Sequence, residues 1–229
     1  MDGVIFDKDG TLFDFRRSWG GWAAKVLKTL AEDAPHAGRM AAAIGYDMAT
    51  GDFSPDSPVI AATADDIAKA LLPHLPCWSH SRLTARLNAM AEIAPMTEAV
   101  PLRPTLGALR KQGLRLGLAT NDTEAPARAH LAAHDIADLF EFIAGCDSGH
   151  GAKPAPGMLL AFARQTGLNP ARVVMVGDSR HDLMAGRAAG MRTVAVLTGI
   201  AGAAELAPFA DAVLPDIGDL AAWISATRC

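Results

Sequence analysis

Hydrophobic and polar positions follow two rhythms along this chain. Gly3-Val4-Ile5-Phe6 is a short apolar run that stops at two carboxylates, Asp7 and Asp9. Bounded by Gly and Asp, it predicts a buried strand. From Trp19 to Leu30 the rhythm changes: Trp22, Val26, Leu27 and Leu30 recur at helical spacing, with Ser18 as the N-cap. Three more alanine-rich segments, 37–48, 63–72 and 79–93, read as helices. The second opens on Thr63-x-x-Asp66, and Pro35, Pro55, Pro58, Pro73 and Pro76 break the segments apart. No strand pattern interrupts these four. They predict a smaller, all-helical domain over residues 16–98, inserted after the first strand.

From Leu102 helix and strand alternate. Helices are expected at 104–113, 124–134, 156–167, 181–190, 203–209 and 220–226, and strands at 114–120, 141–145, 173–177, 193–197 and 212–214. Strands recurring at such intervals imply right-handed βαβ units and a parallel sheet covered on both faces. The fold class is therefore α/β, a doubly wound, Rossmann-like core formed by residues 1–15 and 99–229, with the first strand central. A chain of 229 residues with 50% apolar content can bury such a core plus a smaller unit.

Charge and cysteines narrow the partners. A formal net charge of −4, with no block of more than two consecutive lysines or arginines, argues against nucleic acid. Cys77, Cys146 and Cys229 are widely spaced, odd in number and without a C-x-x-C pair, which fits a reducing interior. A strand starting at residue 3 leaves no room for a secretory signal, and no apolar run reaches the roughly 18 residues that span a bilayer. A cytoplasmic protein with no membrane partner is expected; oligomeric state is not encoded in any pattern we read.

The candidate chemistry lies where strands end. In open α/β sheets ligands sit outside the carboxyl ends of the strands, and that is where Asp7-Lys8-Asp9-Gly10-Thr11-Leu12 falls. Gly10 turns the chain without steric cost, and its N–H with that of Thr11 can face an anion. Asp-x-Asp-Gly is also an ordinary surface turn. Three later signals favour a site: Thr120-Asn121-Asp122, Lys153-Pro154 and Gly177-Asp178-Ser179-Arg180-His181-Asp182. A hydroxyl, a cation and a second acidic cluster are what metal-dependent phosphoryl transfer requires. Thr120 with the following N–H groups makes an oxyanion cradle, or else caps the helix at 124. Asp178 is the better metal ligand, with Asp182 binding through water or fixing its neighbours; both could instead be helix N-terminal carboxylates. His181 reads as exposed and His150 as a loop residue. Arg16 and Arg17 could recognise a substrate anion. Trp19, Trp22 and Trp78 read as core of the helical unit. The loop 50–58 could reach the mouth of the site or be a surface connector.

A phosphate dianion docking beside Asp7 and Asp9 would meet repulsion of roughly 4 kcal/mol per unit-charge pair at 4 Å and an effective dielectric near 20. A divalent cation relieves this, and an all-oxygen ligand set suits Mg²⁺ rather than Zn²⁺. Asp7, ionised at neutral pH if unperturbed, can attack phosphorus without a base.

These motifs resemble, in order, the four signatures of the haloacid dehalogenase-like superfamily of aspartate-nucleophile phosphohydrolases: Asp7 to Leu12, Thr120, Lys153, and Gly177-Asp178-Ser179-x-x-Asp182. The resemblance covers about residues 1–15 and 100–229. It implies an aspartyl-phosphate on Asp7, Asp9 as general acid and base, and Lys153 as the cation balancing phosphate and nucleophile. It also implies Mg²⁺ on Asp7, Asp178 and the backbone carbonyl of Asp9, and a mobile helical cap. The expected activity is hydrolysis of a small phosphorylated metabolite, similar to phosphoglycolate phosphatases. A sugar phosphomutase of the same fold and a non-catalytic phosphate-binding module are the alternatives.

Overall fold

A computed structural model describes residues 1–60 and 62–227, so that Cys229 lies outside the described residues. Eight strands and ten α-helices follow one another along it. The strands are β1 (Gly3–Phe6), β2 (Tyr46–Asp47), β3 (Asp52–Phe53), β4 (Arg115–Ala119), β5 (Phe142–Ala144), β6 (Val173–Gly177), β7 (Arg192–Val196) and β8 (Ala212–Leu214). Between β1 and β4 run α1 (Phe15–Leu30), α2 (Ala34–Ala43), α3 (Ala64–Leu71), α4 (His80–Glu92) and α5 (Leu102–Lys111). The rest are α6 (Glu124–Ala133), α7 (Gly157–Thr166), α8 (Arg180–Ala188), α9 (Ala203–Leu206) and α10 (Leu220–Ala226).

Six strands form one parallel sheet in the order β5-β4-β1-β6-β7-β8, which puts the first strand inside it as expected. Alternation along β1 explains why both faces are covered. Val4 and Phe6 join Leu106 and Leu109 of α5, Leu131 of α6 and Ile224 of α10 on one side. Ile5 points the other way, among Met158 and Phe162 of α7 and Ala185 of α8. Register then decides what meets at the sheet edge. Phe6 is level with Leu118 of β4 and Val176 of β6, so Asp7, Thr120 and Asp178 all leave the sheet within about one residue of the same line.

The segment between β1 and α5 builds its own apolar cluster, including Trp19, Trp22, Val26, Leu27, Met40, Ile67, Leu71, Leu83 and Leu87. Its helices depart from expectation in three places. Helix α1 starts at Phe15, not at Ser18, because Asp14 accepts from the Arg17 N–H at 2.9 Å and so caps it. Ser18 instead binds the Asp14 carbonyl at 2.6 Å and accepts from the Thr97 N–H at 3.0 Å, tying the outgoing chain to the returning one. Pro35 does not break a helix; it sits in the first turn of α2, where no N–H is needed, behind the Asp33 cap. And β2 pairs with β3 in a hairpin, two residues per strand, too short to show a period of two in the sequence. The Thr63 and Asp66 capping box that opens α3 is present as read. No helix among the described residues is long and apolar enough to cross a membrane.

Candidate active site

The sheet edge collects the predicted residues from four separate turns. Lys153 is the hub. Its ammonium, buried to 5% exposure, lies 2.6 Å from Asp7 Oδ1 and 2.6 Å from Asp182 Oδ1. The side chain of Asn121 holds the Lys153 backbone from both sides, accepting from its N–H at 2.8 Å and donating to its carbonyl at 3.0 Å. Burial disfavours the charge on Lys153, but the two carboxylates more than offset this and hold its pKa above the usual lysine value. Asp7 is pushed up to about 7, by burial first and by the charges of Asp182 and Asp9, against the pull of Lys153. Burial thus works against the ionised form of Asp7 that its unperturbed pKa would give, and Lys153 works for it.

Asp182 reconciles two readings. Its Oδ2 accepts from Ser179 N–H at 3.0 Å and Ser179 Oγ at 2.6 Å, a capping box that starts α8, while its Oδ1 carries Lys153. Asp178 lies before the cap, in the turn after β6, so it is not a carboxylate of the first turn of α8 as Asp182 is. It is 2% exposed and its Oδ2 has no partner. Burial, together with Asp182 and Asp7, raises its pKa well above the usual range. Gly10, at φ +76°, and Gly199 both stand against this carboxylate, and a Cβ on either would collide with it.

Carboxylate oxygens of Asp7, Asp178 and Asp182 lie within 4.8 Å of one another. An orphaned buried oxygen inside a hard, all-oxygen set fits a cation such as Mg²⁺. Asp9 does not share this cluster through its carboxylate. Both its oxygens are taken by Lys8 Nζ at 2.9 Å, and Oδ1 also accepts from the Trp19 indole at 2.7 Å.

Several further expectations change. The Gly10 N–H donates to the Phe13 carbonyl at 2.7 Å, closing the turn, and so does not face an anion. Likewise the Asp122 N–H is used by Thr120 Oγ1 at 3.1 Å; the Thr120 hydroxyl, having accepted there, keeps its own proton to donate. Thr123, not Thr120, is the N-cap residue of α6. Arg16 pairs with Asp52 at 3.2 Å on the surface, and neither it nor Arg17 lines the cavity over Asp7. His181 does line it, where an exposed residue was expected. Residues 50–58 do not, but Val59 and Ile60 just after them do.

A second polar chain was not anticipated. Lys8 is fully buried, with its ammonium 3.2 Å from Asp122 Oδ2 and 3.1 Å from His130 Nδ1. An ammonium only donates, so Nδ1 accepts and Nε2 carries the hydrogen that reaches the Ala91 carbonyl of α4 at 2.9 Å. This links the first turn of the site to the helical segment. Burial, then the Lys8 charge, lowers the His130 pKa to about 4. A histidine held neutral stabilises the fold above its unfolded pKa and loses that contribution as pH falls from about 6.5 towards 4. The effect amounts to about 3 kcal/mol at most. His130→Gln is therefore expected to be destabilised most above pH 6.5, with the gap to the unsubstituted protein closing towards pH 4 in melting curves; a constant gap would refute the assignment. The sequence signal for Lys8 was its position, a cation between two carboxylates at the end of an apolar run.

The family model for haloacid dehalogenase-like hydrolases matches residues 1–190. The chain belongs to this family. It is 32% identical over 237 residues to the phosphoglycolate phosphatase of Rhodospirillum rubrum, covering 96% of this chain and 90% of that one. Solved structures below 25% identity confirm the fold. A predicted phosphoglycolate phosphatase from Haemophilus somnus superposes with a TM-score of 0.75 at 20% identity, over 99% of this chain and 98% of that one. A β-phosphoglucomutase from Clostridium difficile does so with 0.66 at 18% identity, over 99% and 96%. This haloacid dehalogenase-like hydrolase thus has, on its sheet edge, a buried lysine between two carboxylates and a third carboxylate with one oxygen unpartnered.

Proposed function

We propose that this chain is a Mg²⁺-dependent phosphatase of small phosphorylated metabolites, working through an aspartyl-phosphate on Asp7. The observation that carries the reading is the Asp7–Lys153–Asp182 ion triplet beside the unpartnered Oδ2 of Asp178. Asp7 and Asp178 would hold the cation, with Asp182 supporting them, and the bound ion would neutralise charge on the transferring group.

Lys153 orients Asp7 and adds positive charge where phosphate oxygens gather, and Thr120 donates its proton to one of them. An Asp7 oxygen bonds to phosphorus as the ester oxygen departs, and Asp9 supplies the proton that the alkoxide needs. Asp9 then takes a proton from water, which attacks phosphorus, breaks the bond to Asp7 and releases phosphate. Lys8 and Trp19 both donate to Asp9 and hold its carboxylate in place. Residues 16–98 act as the cap over the site. Supporting this, the chain leaves and returns through paired connections, Asp14 N–H to Thr97 O at 2.8 Å and Ala99 N–H to Leu12 O at 2.9 Å.

The test is phosphate release from a panel of phosphomonoesters with Mg²⁺ and with chelator. Turnover that requires Mg²⁺ and no bisphosphate activator is expected. A strict need for a bisphosphate, with the phosphoryl group returned to a sugar, would make the protein a mutase instead.

A further inference from the structure

The cavity over Asp7 has two unlike halves. One is the polar sheet edge already described. The other is built by the helical segment from Trp22, Val59, Ile60, Ile67 and Leu87. These are packed side chains, not surface ones, with Trp22 3% and Leu87 1% exposed. Lys153 is the only lysine or arginine among the described lining residues, and Asp7 and Asp182 already hold its charge. His181, the other basic side chain there, stands next to Asp182 at the start of α8. Arg16 and Arg17 lie elsewhere.

A phosphomonoester seated on Asp7 sends the rest of its body into this half. An anionic group there would lose its water without gaining a cation, which is costly, whereas an alkyl or aryl group gains from burial. Resting on the phosphatase reading, we propose that the preferred substrates carry an uncharged, predominantly apolar alcohol portion. Phosphoglycolate, whose carboxylate would face that half, is then a poor substrate of this chain.

The experiment compares phosphoglycolate with ethyl, propyl and butyl phosphate, all esters of unactivated alcohols, using the full chain and Mg²⁺. Each added methylene is expected to raise kcat/KM roughly fourfold, the equivalent of about 0.8 kcal/mol. Butyl phosphate should exceed phosphoglycolate by about tenfold or more. Ile67→Ala should flatten the series. A flat alkyl series, or phosphoglycolate as the best ester, with that preference lost in His181→Gln, would overturn the inference and leave the phosphatase reading standing. No phosphate release from any ester would sink both.

Discussion

Asp7→Asn is expected to abolish turnover, by at least about 10⁴-fold in kcat, while the protein keeps its fold. The amide is isosteric but cannot bond to phosphorus as a carboxylate does. Stability should not suffer, for a physical reason. Asp7 is buried among Asp9 and Asp182, and its charge is disfavoured there, as the rise of its pKa to about 7 shows. Removing that charge leaves Lys153 paired with Asp182. The cation-free variant should therefore melt no lower than the unsubstituted protein at pH 7.5. Turnover at the original rate would overturn the nucleophile assignment, and a collapsed fold would show that Asp7 has a structural duty not visible in its contacts.

Lys153→Met should fail in both respects. It removes the charge that holds Asp7 and Asp182 together and leaves both carboxylates buried beside Asp178. Breaking a buried ion pair from one side costs about 3–5 kcal/mol, which for a chain of this size lowers the melting midpoint by roughly 10 °C. Activity should fall by about 10³-fold, the scale of losing one electrostatic contact to the transition state. Lys153→Arg should rescue little, since the guanidinium has a different shape and the site is closed around the ammonium. Scanning calorimetry and kcat/KM on the same samples check both effects. A variant as stable and as active as the parent would show the triplet to be incidental.

Much of this site was legible because its residues stand where apolar runs stop. Val4-Ile5-Phe6, Leu116 to Ala119 and Val173 to Gly177 are strands by pattern, and parallel pairing brings Asp7, Thr120 and Asp178 to one edge without further information. Lys153 was readable as a cation, but its partners were not, since Asp182 reaches it only after the Ser179 cap fixes the turn of α8. The Lys8, Asp122 and His130 cluster was hidden for a related reason: the turn after β1 meets the start and the buried face of α6, more than a hundred residues later, and each residue alone reads as solvated or as a cap. Trp19 was legible as core and is core, yet its indole edge also reaches Asp9, a dual use that periodicity cannot express. Thr198 and Gly199 carried no signal at all; the Thr198 hydroxyl binds the Gly10 carbonyl at 2.6 Å across nearly the whole chain. The Gly10 turn misled because its N–H was assigned outward, whereas the Phe13 carbonyl closes the turn first.

The roles given to Asp7 and Asp9 separate cleanly in one measurement. Asp9→Asn with p-nitrophenyl phosphate and Mg²⁺ presents a leaving group that needs no proton, so Asp7 can still be phosphorylated, but no base remains to activate water. Acid quench in the first turnovers, followed by peptide mass spectrometry, should find the phosphoryl group on Asp7, with a burst of nitrophenol equal to the enzyme present. Steady release of nitrophenol without a burst, and a phosphoryl group absent from Asp7 or found on another residue, would contradict covalent catalysis by this carboxylate.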